Sequence, residues 1–288
     1  MRKNIIHALT SPVVVVAVCL LAAATCFAFS SHEIDASIFG FTQKRITPSK
    51  EMVTNSLRID EKFTEIDVNR GVKVIYRVTA GTPTAEVTAP KNILDYVVVS
   101  VNKGTLKITI DEDIQANGNL NTTVVVSGPQ IGEYEASSAG HITVESPLNI
   151  KGELDIDVSS AAKVEFQNQV KAYEISIEAS SASHVAAETI EAEKGEIEVS
   201  SAAKVTIGKA IGGTFDFDGS SAGSIKVKDC DIKPLSASAS SAANVSINGK
   251  ADNADLQASS GGSVGGNNLT VKDKFKKNAS SGGRVSVK

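Results

Sequence analysis

Nine carboxylates recur in a spacing that chemistry could use: Glu133 and Glu135, Asp155 and Asp157, Glu178, Glu196 and Glu198, Asp216 and Asp218. Two residues apart on an extended chain, paired acids share one face with about 7 Å between Cα atoms. Such a pair could act as acid and base on a glycosidic bond. A column of carboxylates could also attract Ca²⁺, which takes several carboxylate oxygens. A reaction needs its pair once, however, and this one returns along the chain as a solvated face would. The reading therefore assigns no catalytic residue and leaves calcium as the one cofactor to consider.

A second set is the row of serines Ser138, Ser160, Ser181, Ser201, Ser221, Ser241, Ser260 and Ser281, each the second member of a Ser-Ser doublet. A serine nucleophile requires one activated hydroxyl beside a base, and eight equivalent copies do not supply that. If side chains keep alternating through each doublet, these hydroxyls point inward. They would then bond to one another along a stack or to backbone carbonyls. Elsewhere the chemistry is thin. His32, His141 and His184 form no ligand cluster, no Cys-x-x-Cys or His-Glu-x-x-His is present, and there is no tryptophan to stack on a sugar.

The elements that must position these residues follow from the doublets themselves. Their first serines, Ser137, Ser159, Ser180, Ser200, Ser220, Ser240, Ser259 and Ser280, are spaced 22, 21, 20, 20, 20, 19 and 21 residues apart. A period near twenty marks a solenoid, whose units bury their apolar faces by stacking on neighbours. Before each doublet, apolar and polar residues alternate, as in Leu154, Ile156 and Val158 against Asp155 and Asp157. This is the signature of a half-buried strand. Five residues after each first serine stands Ile142, Val164, Val185, Val205, Ile225, Val245, Val264 or Val285, an unbroken β-branched column. One residue earlier lies a basic or polar column: His141, Lys163, His184, Lys204, Ser224, Asn244, Ser263 and Arg284.

Twenty residues at about 3.3 Å each make roughly 66 Å of path, enough for three short faces per coil. The expected fold is all-β, a single-stranded parallel β-helix of about twenty residues per coil. Its crossovers should be right-handed.

Composition narrows the function. A net charge of -4 excludes a strongly basic nucleic-acid binder. Residues 1–29 carry Arg2 and Lys3 ahead of an apolar run, which reads as a signal peptide cleaved near Ala28 or as a retained membrane anchor. Cys19 and Cys26 fall in that run, leaving Cys230 with no partner for a disulfide and expected as a buried small residue. Residues 30–56 read as a mobile linker. Residues 57–288 form the domain, with strands over 57–130 as opening coils or a cap and regular repeats over 131–288. A cap is expected because an open strand edge invites aggregation.

Phe63-Thr-Glu-Ile-Asp-Val, Gly71-Val-Lys-Val, Gly104-Thr-Leu-Lys-Ile and the Ser-Ser-Ala-Gly or Ser-Ser-Ala-Ala blocks occur in one order. In this the chain resembles the "putative adhesin" family whose module is called the head GIN domain, found in exported proteins of Gram-negative bacteria. The resemblance covers about Leu57 to Lys288. It implies a parallel β-helix at the cell envelope, an adhesive role and no catalytic residues to carry over. An autotransporter would also carry a membrane barrel of alternating strands. The ending Arg284-Val-Ser-Val-Lys lacks that pattern, so no barrel is expected within these residues.

The expectation is an exported envelope protein, in the periplasm, outer membrane or cell surface, acting as a non-enzymatic adhesin-like or scaffolding module. Its partner would be a protein or glycan at the cell surface, with no nucleic acid involved and with oligomeric state left open. The alternatives are a carbohydrate-active β-helix enzyme, which a cleft of converging acids and bases would favour, and a self-associating structural protein.

Overall fold

The computed structural model describes residues 43–287. The signal or anchor over 1–29, and residues 30–42 of the expected linker, lie outside the described residues. The chain is a parallel β-solenoid of about 8 turns with roughly 20 residues per coil.

Its first strands are β1 (Lys44–Ile46), β2 (Met52–Arg58), β3 (Glu65–Val68), β4 (Lys73–Val78), β5 (Thr84–Pro90), β6 (Val97–Asn102), β7 (Thr105–Ile110), β8 (Ile114–Ala116) and β9 (Thr123–Gly128). The repeats supply β10 (Glu133–Ala136), β11 (His141–Val144), β12 (Leu148–Asn149), β13 (Glu153–Val158), β14 (Lys163–Ala179), β15 (His184–Val199) and β16 (Lys204–Gly219). Then come β17 (Ser224–Ala239), β18 (Asn244–Ile247), β19 (Gly249–Ala258), β20 (Ser263–Gly266), β21 (Leu269–Ala279) and β22 (Arg284–Val287).

On the face preceding the doublets, strands pair in parallel in the order β7, β3, β10, β13, β14, β15, β16, β17, β19, β21. On the face following them the order is β9, β4, β11, β14, β15, β16, β17, β18, β20, β22. The coil of β3 and β4 thus lies between that of β7 and β9, which follows it in sequence, and that of β10 and β11. The opening strands are both coils and cap. β6 runs antiparallel on β7, β5 on β9 and β2 on β5, covering the first edge.

The linker expected over 30–56 is corrected over its second half: residues 44–46 and 52–56 belong to strands β1 and β2. Six of the seven β2 side chains are exposed, so backbone pairing with β5 holds this strand and no apolar alternation announces it.

Alternation places the core where the repeat predicts. Ile142, Val164, Val185, Val205, Ile225, Val245 and Val264 are all buried, as are Leu154, Ile156 and Val158. Each in-register step lays one aliphatic group on another, which excludes water from both. Tyr134 is buried between Tyr76 and Phe166 in edge-to-face contacts of 6.0 and 5.3 Å. Tyr76 donates its hydroxyl to the Pro129 carbonyl at 2.7 Å, whereas the buried Tyr134 hydroxyl has no partner among the described residues. A buried unpaired hydroxyl costs about 1–3 kcal/mol. Tyr134→Phe should therefore stabilise the fold by about 1 kcal/mol, seen as a higher urea midpoint. A lower midpoint would mean the hydroxyl is satisfied.

The doublets do not turn as expected. In each block the second serine has φ between 47° and 54° and the third residue lies at 61° to 78°. The fourth residue donates its N–H to the first serine's carbonyl at 2.7 to 3.1 Å. Two consecutive left-handed residues closed by this bond make a type I′ turn. The second serines, Ser138, Ser160, Ser181, Ser201, Ser221, Ser241, Ser260 and Ser281, are exposed at the corner. The inward hydroxyl ladder is thereby corrected, because two left-handed residues carry these side chains out of the alternation. What runs along the stack is backbone: Ala139 N–H donates to Ser160 O at 3.0 Å, Ala161 to Ser181 at 2.9 Å and Ala182 to Ser201 at 2.9 Å. Only Ser183, a fourth residue, is buried and donates its hydroxyl to a carbonyl, that of Val158 at 2.7 Å.

Among the described residues, β21 and β22 pair on one side only. Here Lys277 aligns with Leu256 in a column that is otherwise Leu106, Ile66, Tyr134, Ile156, Ile177, Ile197, Phe217 and Ala237, all buried. A charge at an inward position of an open edge opposes indiscriminate pairing.

Candidate functional site

The in-register strands bring all nine predicted acids onto one strip. One column runs Glu65, Glu133, Asp155, Ser176, Glu196, Asp216; the other runs Asp67, Glu135, Asp157, Glu178, Glu198, Asp218. Glu65 and Asp67 were missed in the sequence, since an excursion of many residues separates them from Glu133. Their signal was present: Glu65-Ile-Asp-Val-Asn-Arg-Gly has the same alternation, and Arg70 (φ 56°) and Gly71 (φ 74°) form the same corner. Gly71 N–H donates to Ser138 O at 3.0 Å, so this corner is stacked on the first doublet. Hydroxyls finish the strip at both ends, Thr105 donating to Glu65 and Ser238 to Asp218.

Beside the outer acid column runs a row the sequence reading passed over, the first serines. Because each first serine follows the second acid of its strand by two residues and keeps its outward parity, Ser159, Ser180, Ser200, Ser220 and Ser240 lie alongside Asp157, Glu178, Glu198, Asp218 and Ser238. Together they line an open groove of about 550 Å³ that follows the stack. A smaller hollow of about 280 Å³ continues it over Glu133, Glu135, Asp155, Asp157, Ser176 and Glu178.

Like charges one coil apart, about 4.8 Å, repel. Partial burial and the facing acids raise the carboxyls of Glu133, Glu135, Asp155 and Glu198 above their ordinary range. Groups whose pKa is raised by folding add stability that is complete below the ordinary carboxylate value and is lost as pH rises through the folded value. Glu165 works in the opposite sense. Lys163 at 3.0 Å and His141 at 3.4 Å hold it low despite burial, so its contribution is lost on acidification. Glu198→Gln should therefore raise the melting temperature at pH 7 and change it little near pH 4, because repulsion is removed only where the carboxylates are ionised. Equal shifts at both pH values would show that the strip is not under electrostatic strain.

Across the corner lies the basic column, extended by Lys73 beneath His141. Burial and neighbouring lysines lower both rings, His141 between Lys73 and Lys163 and His184 between Lys163 and Lys204, so both favour the neutral form. Cys230 is buried and its thiol is pushed up to about 11 by desolvation, which makes it the inert small residue expected.

The groove lining contains no histidine, lysine, arginine or cysteine, and each carboxylate faces equivalents one coil away. Serines and carboxylates alternate along it in equivalent copies, none set apart from the rest. Among the described residues, no group of three or more His, Cys, Asp and Glu is placed to hold a metal ion. The strip offers a cation carboxylates in single file rather than a cage.

A stack of in-register coils with a polar, grooved flank defines a parallel β-solenoid. The chain belongs to the family described as "Putative auto-transporter adhesin, head GIN domain", whose model matches residues 62–241 and 195–288. A solved "putative adhesin" from Parabacteroides distasonis has 16% identity and a TM-score of 0.70, covering 84% of this chain and 100% of its own. A "putative lipid binding protein" from the same organism has 16% identity and a TM-score of 0.61, with the same two coverages. A "putative adhesin" from Parabacteroides merdae has 17% identity and a TM-score of 0.55, covering 82% of this chain and 98% of its own. At these identities the likeness concerns the fold. No curated protein matches the chain.

Proposed function

We propose that the chain is an exported, non-enzymatic adhesin-like module of the cell envelope that holds a protein or glycan along the acid and serine groove. The observation that carries this reading is the groove itself. Its walls repeat one carboxylate or hydroxyl and one serine per coil from Asp157 to Ser240, so they offer a periodic set of hydrogen-bond partners to an extended ligand. Family membership supports the adhesive class, and a serine repeated at every coil of the groove, with no single hydroxyl set apart from its equivalents, favours binding.

The test is retention of the protein on envelope glycans and host matrix proteins, with Glu198→Lys and Asp218→Lys compared against wild type. Binding should fall at least tenfold in the double variant, and weaken with salt as exposed charges are screened. Capture that ignores both substitutions would place the working surface elsewhere. Calcium belongs to the same proposal as a counter-ion shared along the strip. Millimolar calcium should raise the melting temperature above that in chelator at matched ionic strength, and identical values would remove it.

A further inference from the structure

Charge is paired across coils on one face of the stack and segregated on another. Further along the long strands, lysines meet acids of the adjacent coil: Lys171 with Glu191, Lys194 with Glu174 and Lys209 with Asp229. In the basic column, by contrast, Lys73, His141, Lys163, His184 and Lys204 hold one position in successive layers, each aligned with the next. Adjacent Cα atoms lie about 4.8 Å apart, so these residues span about 19 Å. The carboxylate beside them is Glu165, 3.0 Å from Lys163 and 3.4 Å from His141. We propose that this column binds an extended anionic glycan, sulfated or carboxylated, laid along the stack.

Like charges directly opposite one another on neighbouring strands repel, and an anion lying over them relieves that repulsion. The two histidines carry the mark of it. His141 faces Lys73 of β4 on one side and Lys163 and Glu165 of β14 on the other, with the Thr143 hydroxyl 3.3 Å away on its own strand. His184 faces Lys163 and Glu165 of β14 and Lys204 of β16. Burial first, and then these lysines, hold both rings toward the neutral form in the free protein. A polyanion that neutralises the lysines removes their opposition to protonation and favours the charged rings directly. Binding therefore takes up protons and tightens as the pH falls.

The surroundings select a glycan among polyanions. Ser138, Ser160, Ser181 and Ser201 stand exposed at the corner beside the column, where their hydroxyls can donate to and accept from sugar hydroxyls. The exposed large hydrophobic residues Met52, Leu57, Tyr173 and Phe275 lie away from the column. A bilayer would thus find no apolar side chain to insert there, and unpaired bases no ring to stack on. Across the corner the acid strip repels negative charge, which confines an anionic ligand to a narrow file. This surface is separate from the acid and serine groove, so the inference does not rest on the adhesive reading and can fail without it.

The experiment measures retention of the full-length chain on dextran sulfate, polygalacturonate and uncharged dextran at pH 8 and pH 5.5, on either side of the ordinary histidine value. At least one anionic glycan should bind and dextran should not; whichever anionic glycan binds names the charged group recognised. Lys163→Gln/Lys204→Gln should weaken binding about tenfold, whereas Lys228→Gln/Lys233→Gln, the same change in net charge at other exposed positions, should change it less than about twofold. Affinity should rise about fivefold from pH 8 to pH 5.5, and His141→Gln/His184→Gln should abolish that rise. Glu198→Lys/Asp218→Lys should not weaken this binding, which separates it from capture in the groove. Equal losses in the two lysine pairs would overturn the proposal, as would a pH effect that survives without both rings, since the acid strip would then be its source. Retention on anionic phospholipid vesicles or single-stranded DNA as strong as on either glycan would also overturn it.

Discussion

Phe215→Ala is expected to lower the unfolding free energy by about 3 to 5 kcal/mol, the cost of deleting a buried aromatic ring. Phe215 is fully buried and stacks on Phe217 with ring centroids 5.9 Å apart. Its place exists because the coil beneath offers Gly195 in register, where a Cβ would lie 2.2 Å from the ring's Cδ1. Gly195→Ala should therefore destabilise by about 1–3 kcal/mol through overpacking. The two changes meet in one space, so the double variant Gly195→Ala/Phe215→Ala should be more stable than the sum of the singles by about 1–3 kcal/mol. Urea unfolding of the four proteins reads this directly. Strict additivity would show that the ring does not occupy the glycine's missing side chain.

The second large effect is a gain. Ala139, Ala161, Ala182, Ala202, Ala222 and Ala242 hold φ between 61° and 65°, where a Cβ crowds the backbone by about 1–2 kcal/mol. Gly261 and Gly282 occupy the same turn position in the last two blocks without that cost. Each Ala→Gly change should stabilise by about 0.5 to 1 kcal/mol after subtracting the extra entropy glycine carries in the unfolded chain. All six together should add several kcal/mol, visible as a higher melting temperature. Ala202→Val should do the reverse, since a β-branched side chain fits this conformation worst. If Ala202→Gly destabilises as glycine does at an ordinary exposed site, the corner is not strained.

These two cases also mark how far the sequence could be read. The period of the doublets and the column from Ile142 to Val285 disclosed coils, spacing and the inward set, because a strict register repeats one side-chain requirement at every layer. The acids were legible as a strip for the same reason. The corner was not. Ser-Ala and Ser-Gly are unusual occupants of a type I′ turn, where Asn-Gly is the usual pair, so nothing local warned that Ser138 and its equivalents leave the interior. Glu65 and Asp67 were hidden by distance along the chain, their matching coil being interrupted by strands that cap the edge. Strand β2 was hidden by its exposed side chains, since a strand held by backbone bonds alone leaves little trace in side-chain pattern. The groove serines were in plain view but were assigned to the turn rather than to the flank they line.

The out-of-sequence layering of the opening strands bears on biogenesis. Residues 105–128 close the lower side of the layer laid down by residues 65–78 before any doublet is reached. From then on growth has one open direction, and each newly delivered segment finds a finished template above the last. A polypeptide emerging from an export channel with its amino end first can thus assemble vectorially, adding layers at the pace of its delivery and leaving little incomplete surface behind.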